Sequence, residues 1–281
     1  MSVKSILSPA RTFLFLILEA PFRPRWAYYR LRGFIYRYFL NRFHEKRVDE
    51  YSMRLQSLDD ALAFCTGCSK EEVIEAGRSE ILEKMQVRDR WVVALPGEND
   101  VTETGSKGPI EVFYGPSPEL MKTVHIVCRL LQPEIVIETG VAKGFTSAGI
   151  LDALEQNGTG DLYSVELPSL YIGYTQQVGE KISERLRKRW HLELGPSALV
   201  LPRLLDRLGS VDVFLYDSAS SYDNQITEFS IILACMRPGG VVIANFMMTD
   251  AFVEVAERYD CEWTTTEQTK AYPIGLLTKR G

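Results

Sequence analysis

The chain is poor in the residue types from which most metal, redox and nucleophilic sites are built. Of its 281 residues only three are histidine, His44, His125 and His191. No two of them are spaced for a shared metal, and none accompanies a nucleophile. His125 falls inside an apolar helical pattern and is expected to pack rather than react. Five cysteines, an odd number scattered along the chain, supply no disulfide framework and indicate a reducing compartment. Cys65-Thr-Gly-Cys68 has the spacing of half a zinc site but no second pair, so it is read as structural. Long hydrophobic runs are also missing. Phe13 to Leu18 is interrupted by Glu19, Pro21 and Arg23, well short of the roughly 20 apolar residues that span a bilayer. It also lacks the small-residue cleavage site of a secretory signal. No internal repeat or low-complexity tract occurs.

What is present is divided by charge. Residues 1–47 hold ten Lys or Arg against two acids, leaving 22 against 35 for residues 48–281. A basic arm on an acidic body is expected to meet an anionic surface, either a membrane or the body itself. Leu31, Ile35, Tyr38, Phe39 and Phe43 follow helical steps, and Arg30, Arg32, Arg37 and Arg42 are interspersed with Trp26, Tyr28, Tyr29 and Tyr36. That mixture suits the headgroup layer of a bilayer. It suits as well an ordinary helix packed on the domain or on a second subunit, as in a homodimer. The expected location is cytoplasmic, peripheral at the inner membrane surface. An acidic body with no recognisable RNA or DNA module argues against nucleic acid as a partner.

With 46% hydrophobic residues, the chain is long enough to bury one sizeable core plus a smaller appendage. Ser57-Leu-Asp-Asp and Ser69-Lys-Glu-Glu open two short helices with a serine cap and early acids. Asn99 to Gly108 is polar with no apolar period and is read as a linker. Ser117-Pro-Glu starts another helix, with Leu120, Val124, Val127 and Leu131 on one face, and Gln132-Pro133 ends it. The expected division is a basic, aromatic-rich helical arm over 1–47, a helical preface and linker over 48–107, and an α/β domain over 108–281.

The richest stretch runs from Pro133 to Ser147. Ile135 to Ile137 suits a central parallel strand, and Glu138 puts a carboxylate where that strand ends. Gly140 and Gly144 let the backbone turn and approach a ligand where a Cβ would collide. A helix follows through Ala148 to Leu154, with the ligand expected at its amino end. The dinucleotide pattern Gly-x-Gly-x-x-Gly fails, because Ala142 and Phe145 stand at its second and third glycines. Asp161 to Glu166 is a second strand ending in an acid suited to both hydroxyls of a ribose. Leu192 to Leu201 offers a third strand and a turn. Val211 to Asp217 is a fourth strand, followed by a helix carrying Ile226, Phe229, Leu233 and Met236. Arg237-Pro-Gly-Gly240 turns the chain into a fifth strand, Val241 to Ala244. Cys261 to Gln268 and Ala271 to Thr278 supply two late strands.

The order and spacing of these elements, with Glu138-x-Gly140-x-x-x-Gly144 at their head, resemble the class I S-adenosylmethionine-dependent methyltransferases over roughly Gly108 to Lys279. The resemblance implies a Rossmann-like α/β sheet, mostly parallel with its final strand antiparallel, behind an α-helical N-terminal extension. It implies S-adenosyl-L-methionine as cofactor, held by Glu138, Gly140, Ala142, Gly144, Glu166, Ser197, Asp217 and Ser218. In that family the turn carrying Ser197 lies against the adenine, so Ser197 either holds the base edge or caps the next helix. The nearest likeness is to the sugar and macrolide O-methyltransferases, whose fourth-strand signature runs approximately Asp-Ser-Asp-His-Ser-Tyr-Glu-Asn. Asp217, Ser218, Ser221, Tyr222 and Asn224 match it, whereas Ala219 and Ser220 do not. Asn245 and Phe246 replace the family's two acids after strand five. Asp217 with Asn245 is a poor oxygen set for a hard cation, so no catalytic metal is expected.

The implied reaction is in-line methyl transfer to a hydroxyl of a sugar, glycan or other small acceptor. Asp217 is the expected base or substrate orienter, with Tyr222 as a second residue on the substrate side, although a neutral phenol is a poor base near pH 7. Two other readings stay open. One is an inactive cofactor-binding relative serving as partner or scaffold, favoured by the substituted positions. The other is a nicotinamide oxidoreductase, which the missing middle glycine opposes.

Overall fold

A computed structural model of the chain describes residues 20–79, 82, 117–167, 178–245, 247–267 and 273–280. The arm is helix α1 (Pro24–Ile35), a single π turn (Tyr36–Leu40) and a 3-10 turn (Asn41–Phe43). The preface is α2 (Asp49–Met53), a two-residue strand β1 (Leu55–Gln56), α3 (Leu58–Thr66) and α4 (Lys70–Ala76). The serine caps form as the sequence predicts. Ser57 accepts from the Asp60 amide, and Ser69 closes a reciprocal capping box with Glu72. The expected linker over 99–108 lies outside the described residues.

The α/β domain follows as α5 (Pro118–Leu131), β2 (Ile135–Thr139), α6 (Phe145–Asn157), β3 (Asp161–Glu166), β4 (Trp190–Leu194), α7 (Ser197–Leu208), β5 (Val211–Tyr216), α8 (Tyr222–Cys235), β6 (Met236–Ala244), α9 (Ala251–Arg258), β7 (Cys261–Thr266) and β8 (Ile274–Lys279). The sheet order is β1-β7-β8-β6-β5-β2-β3-β4. β8 runs antiparallel to both of its neighbours, and every other pairing is parallel. This is the expected Rossmann-like sheet. Chain direction along the sheet reverses between β2 and β5, the switch point outside which doubly wound sheets bind ligands. Two elements depart from expectation. Ser197 to Leu201 is the first turn of α7 rather than part of the third-strand turn. Arg237-Pro-Gly-Gly240 lies within β6, because Met236 already pairs with Val211 and the register shift between Val211 and Val213 absorbs the intervening residues as a bulge.

Strand alternation sorts the core. Val136 faces a layer containing α3, α5 and α6, and Ile137 faces one containing α7, α8 and α9. The preface belongs to this core. Ala61, Leu62 and Cys65 of α3 are fully buried in the first layer, and Tyr51 of α2 is 1% exposed in the second. Tyr51 packs edge-on against Phe252 and Trp263, and its hydroxyl donates to the Thr249 carbonyl at 2.5 Å. Removing that hydroxyl as Tyr51→Phe is expected to cost about 1 kcal/mol. Tyr51→Ala is expected to cost roughly 3–5 kcal/mol, by analogy with other large aromatic truncations. Denaturant unfolding of both variants measures the difference.

Candidate active site

Parallel pairing brings the carboxyl ends of β2, β3, β5 and β6 to one rim. Ladder bonds continue past the strand ends and fix the loops there: Gly140 N donates to Val165 O, Asp217 N to Thr139 O and Asn245 N to Tyr216 O, each at 2.9 Å. Glu138, Glu166, Asp217 and Asn245 therefore share a rim in a register set by the sheet.

The turn between β2 and α6 is built around Glu166. Its Oε2 accepts from the amides of Val141 at 2.7 Å and Ala142 at 2.9 Å. Ala142 carries φ +48°, which an alanine adopts only when its surroundings hold it there. Gly140 and Gly144 have φ near +87° and +82°. The space that their missing Cβ atoms leave, expected for a ligand, is occupied by protein at both positions. A Cβ on Gly140 would press into the Asp217 carbonyl, 2.7 Å from its carbon, and one on Gly144 would lie 2.8 Å from Gly179 Cα. The segment after β3 is stitched to the same turn, Gly179 N donating to Ala142 O at 3.0 Å and Lys181 N to Lys143 O at 2.9 Å.

Beneath the turn Glu138 is fully buried. One of its carboxyl oxygens accepts from Ser147 at 2.7 Å and Ser164 at 2.8 Å, while the other, Oε1, has no partner among the described residues. Burial pushes its pKa up to about 8, and the charges of Asp217 and Glu166 add to the shift against the two serine bonds. Three carboxyl groups thus interact around a single turn.

Ser197 neither caps α7 nor stands clear for a base edge. Pro196 occupies the cap position, and the Ser197 hydroxyl donates to Glu228 Oε1 at 2.6 Å. Ser218 donates to the same oxygen at 3.0 Å, Asn224 at 2.7 Å, and Thr139 reaches Oε2 at 2.6 Å. Glu228, fully buried in the middle of α8 with its pKa raised by burial, is a site residue that sequence reasoning missed. It reads there as one more polar position on a helix, and nothing in the spacing marks it out.

Asp217 Oδ1 accepts from the Asn245 side-chain amide at 2.7 Å, so these two residues join by a direct hydrogen bond. Phe246 lies outside the described residues. Tyr222 opens α8 with its hydroxyl donating to Glu254 at 2.7 Å and its ring stacked on His44, centroids 3.6 Å apart. Burial first, then the Glu254 bond and charge, push its pKa up to about 12, so it stays protonated at neutral pH. The arm reaches this part of the rim through Asn41, whose amide donates to Ser220 O at 2.9 Å and accepts from Tyr222 N at 3.0 Å. Asn41 and His44 were not legible as rim residues, because only the tertiary fold brings them 180 residues along the chain.

Residues 137–245 match the family model described as a methyltransferase domain. That segment runs from within β2 to just past the end of β6 of the Rossmann-like sheet. No curated protein matches the chain. Among solved structures, the chain is similar to a putative O-methyltransferase from Klebsiella pneumoniae at 16% identity, covering 83% of this chain and 100% of that one with TM-score 0.48. It is similar to the O-methyltransferase TomG from Streptomyces achromogenes, solved in complex with SAM, at 19% identity, 73% and 91% coverage and TM-score 0.49. An O-methyltransferase from Bacillus cereus in complex with SAH is similar at 14% identity, 83% and 100% coverage and TM-score 0.47.

Glu138 gives the site a signature in pH. Its folded pKa lies above the ordinary carboxylate value, so folding favours the protonated form. The stability this group contributes is fully present below about 4.5 and is lost as pH rises through about 8. Glu138→Gln, which keeps the neutral shape, is expected to remove that fall. The difference in unfolding free energy between variant and parent should grow steadily in the variant's favour across this window, as followed by urea unfolding at several pH values.

Proposed function

We propose that the chain is an active O-methyltransferase that uses S-adenosylmethionine and acts on a small hydroxylated acceptor, a sugar or glycan in the first instance. The observation that carries this reading is the convergence of Glu138, Glu166 and Asp217 on the glycine turn, with one buried carboxyl oxygen of Glu138 unpartnered among the described residues. The charges of Asp217 and Glu166, which together with burial keep Glu138 protonated, would attract a cationic ligand and repel the diphosphate of a dinucleotide. A sulfonium nucleoside with an amino-acid tail carries the charge the rim lacks, so these residues fit the cofactor.

Glu166 would grip the ribose. Both turn amides use its Oε2, which leaves Oε1 as the oxygen to meet a sugar hydroxyl. Glu138 and the turn 140–144, with Ala142 and Gly144, would hold the amino-acid end. Ser197 and Ser218, both tied to Glu228, would shape the base side and the loop after β5 through that shared carboxyl. When bound, the cofactor supplies a methyl group already activated by positive sulfur. The chain's own task is to align an acceptor oxygen and take its proton, so positioning carries most of the rate.

Asp217 is the residue we assign to orienting the acceptor hydroxyl and accepting its proton, held in place by Asn245. Tyr222, protonated and bonded to Glu254, contributes as a substrate-side wall and hydrogen-bonding group rather than as a base. No step in this scheme needs a metal ion.

Calorimetric titration with S-adenosylmethionine and with NAD separates the two cofactor classes, and binding of NAD alone would sink the proposal. Glu166→Gln is expected to weaken S-adenosylmethionine binding about ten-fold, the loss of one charge-assisted bond. Asp217→Asn should lower kcat by about a hundred-fold or more, with a smaller loss of cofactor affinity because one of the rim's charges is removed. Transfer of a labelled methyl group to components of a cell extract identifies the acceptor class. Cofactor binding without any transfer would make the chain an inactive relative instead.

A further inference from the structure

The arm is docked with its hydrophobic stripe turned away from the protein. The residues that follow helical steps in the sequence are the exposed ones: Leu31 is 38% exposed, Ile35 40%, Tyr38 50%, Phe39 57% and Phe43 56%, and the interspersed Tyr28 joins them at 57%. An amphipathic helix packed on its own domain buries such a stripe. Here the inward contacts come from other residues, polar or small ones together with the His44 ring stacked on Tyr222. Ala27 is buried, Asn41 bonds Ser220 and Tyr222, and Arg32 pairs with Asp223. The π turn at Tyr36–Leu40 shifts the helical register where Tyr38 and Phe39 stand outward side by side.

Cations share the outward face. Arg25, Arg37 and Arg42 are exposed, no acidic residue occurs between Ala20 and His44, and the exposed pair Glu45 and Lys46 that follows is neutral in sum. Interleaved aromatic, aliphatic and cationic groups on the exposed side of the arm match the boundary between headgroups and acyl chains. No helix among the described residues is long and apolar enough to cross a membrane, so contact would be with one leaflet only. A second copy of the chain fits less well, because a two-fold contact would set this cationic face against its own image.

We propose that this outward face of residues 22–46 is a docking surface for an anionic lipid bilayer. The rim carrying Ser220 and Tyr222 is fastened to the same arm. Docking therefore holds the site beside the headgroup layer, where a hydroxyl on a lipid-attached glycan lies within reach. The docking itself does not depend on the methyl-transfer reading.

The test is flotation of the full-length chain with vesicles of phosphatidylcholine alone and of phosphatidylcholine mixed with phosphatidylglycerol. The parent is expected to float with the mixed vesicles only, and less as salt is raised. Arg37→Glu with Arg42→Glu, and separately Tyr38→Ser with Phe39→Ser, should each cut the bound fraction by about ten-fold while leaving the melting temperature unchanged. A parent that stays at the bottom with anionic vesicles overturns the proposal, whatever the variants do. So does equal flotation of parent and variants, or a solution dimer of the parent that the same substitutions dissociate. Thermal shift with S-adenosylmethionine on the same samples keeps the two ideas apart, since its failure alone removes the cofactor reading and leaves the docking intact.

Discussion

The rim depends on one buried carboxyl group. Glu228 collects donors from Thr139 at the end of β2, Ser218 after β5, Ser197 at the start of α7 and Asn224 one turn earlier on its own helix. A fully buried acid is costly to desolvate, and only close partners offset that cost. Here three of the partners, Thr139, Ser218 and Ser197, sit at or just beyond points where the chain leaves the sheet. The carboxyl therefore converts the burial of one side chain into a fixed arrangement of three separate segments, and satisfied networks of this kind specify a single geometry.

A second constraint acts on the opposite side of the turn. Glu166 gathers the Val141 and Ala142 amides, while Gly140 and Gly144 allow the β5 loop and the segment at Gly179 to come within contact. The turn is thus clamped from β3, from β5 and from the chain after β3 at once. Its shape belongs to the protein itself, and an incoming ligand would find it preformed, which lowers the ordering cost of binding.

Much of this was readable from residue order. Apolar runs such as Val211 to Tyr216 are strands because both faces are buried, and Ser57, Ser69 and Ser117 announce helices because their hydroxyls cap free amides. The acids at 138, 166 and 217 were legible because each closes a strand. What escaped is tertiary. Glu228 sits in the helix interior at a position no local pattern distinguishes, and His44 and Asn41 gain meaning only where the arm meets the β5–α8 loop. Ser197 was legible as a rim residue, but its partner was not. The arm's stripe was visible as helical periodicity, yet periodicity records amphipathicity without saying which side faces the core. That is decided by ion pairs and by one asparagine.

That asparagine has a further consequence. By meeting the Ser220 carbonyl and the Tyr222 amide with one side chain, Asn41 serves as a surrogate peptide unit, finishing a loop whose own backbone leaves those two groups over. Shortening the polypeptide from its beginning would therefore do more than remove an appendage. It would hand two main-chain groups back to water and loosen the loop between β5 and α8, so the arm and that loop hold one another in place.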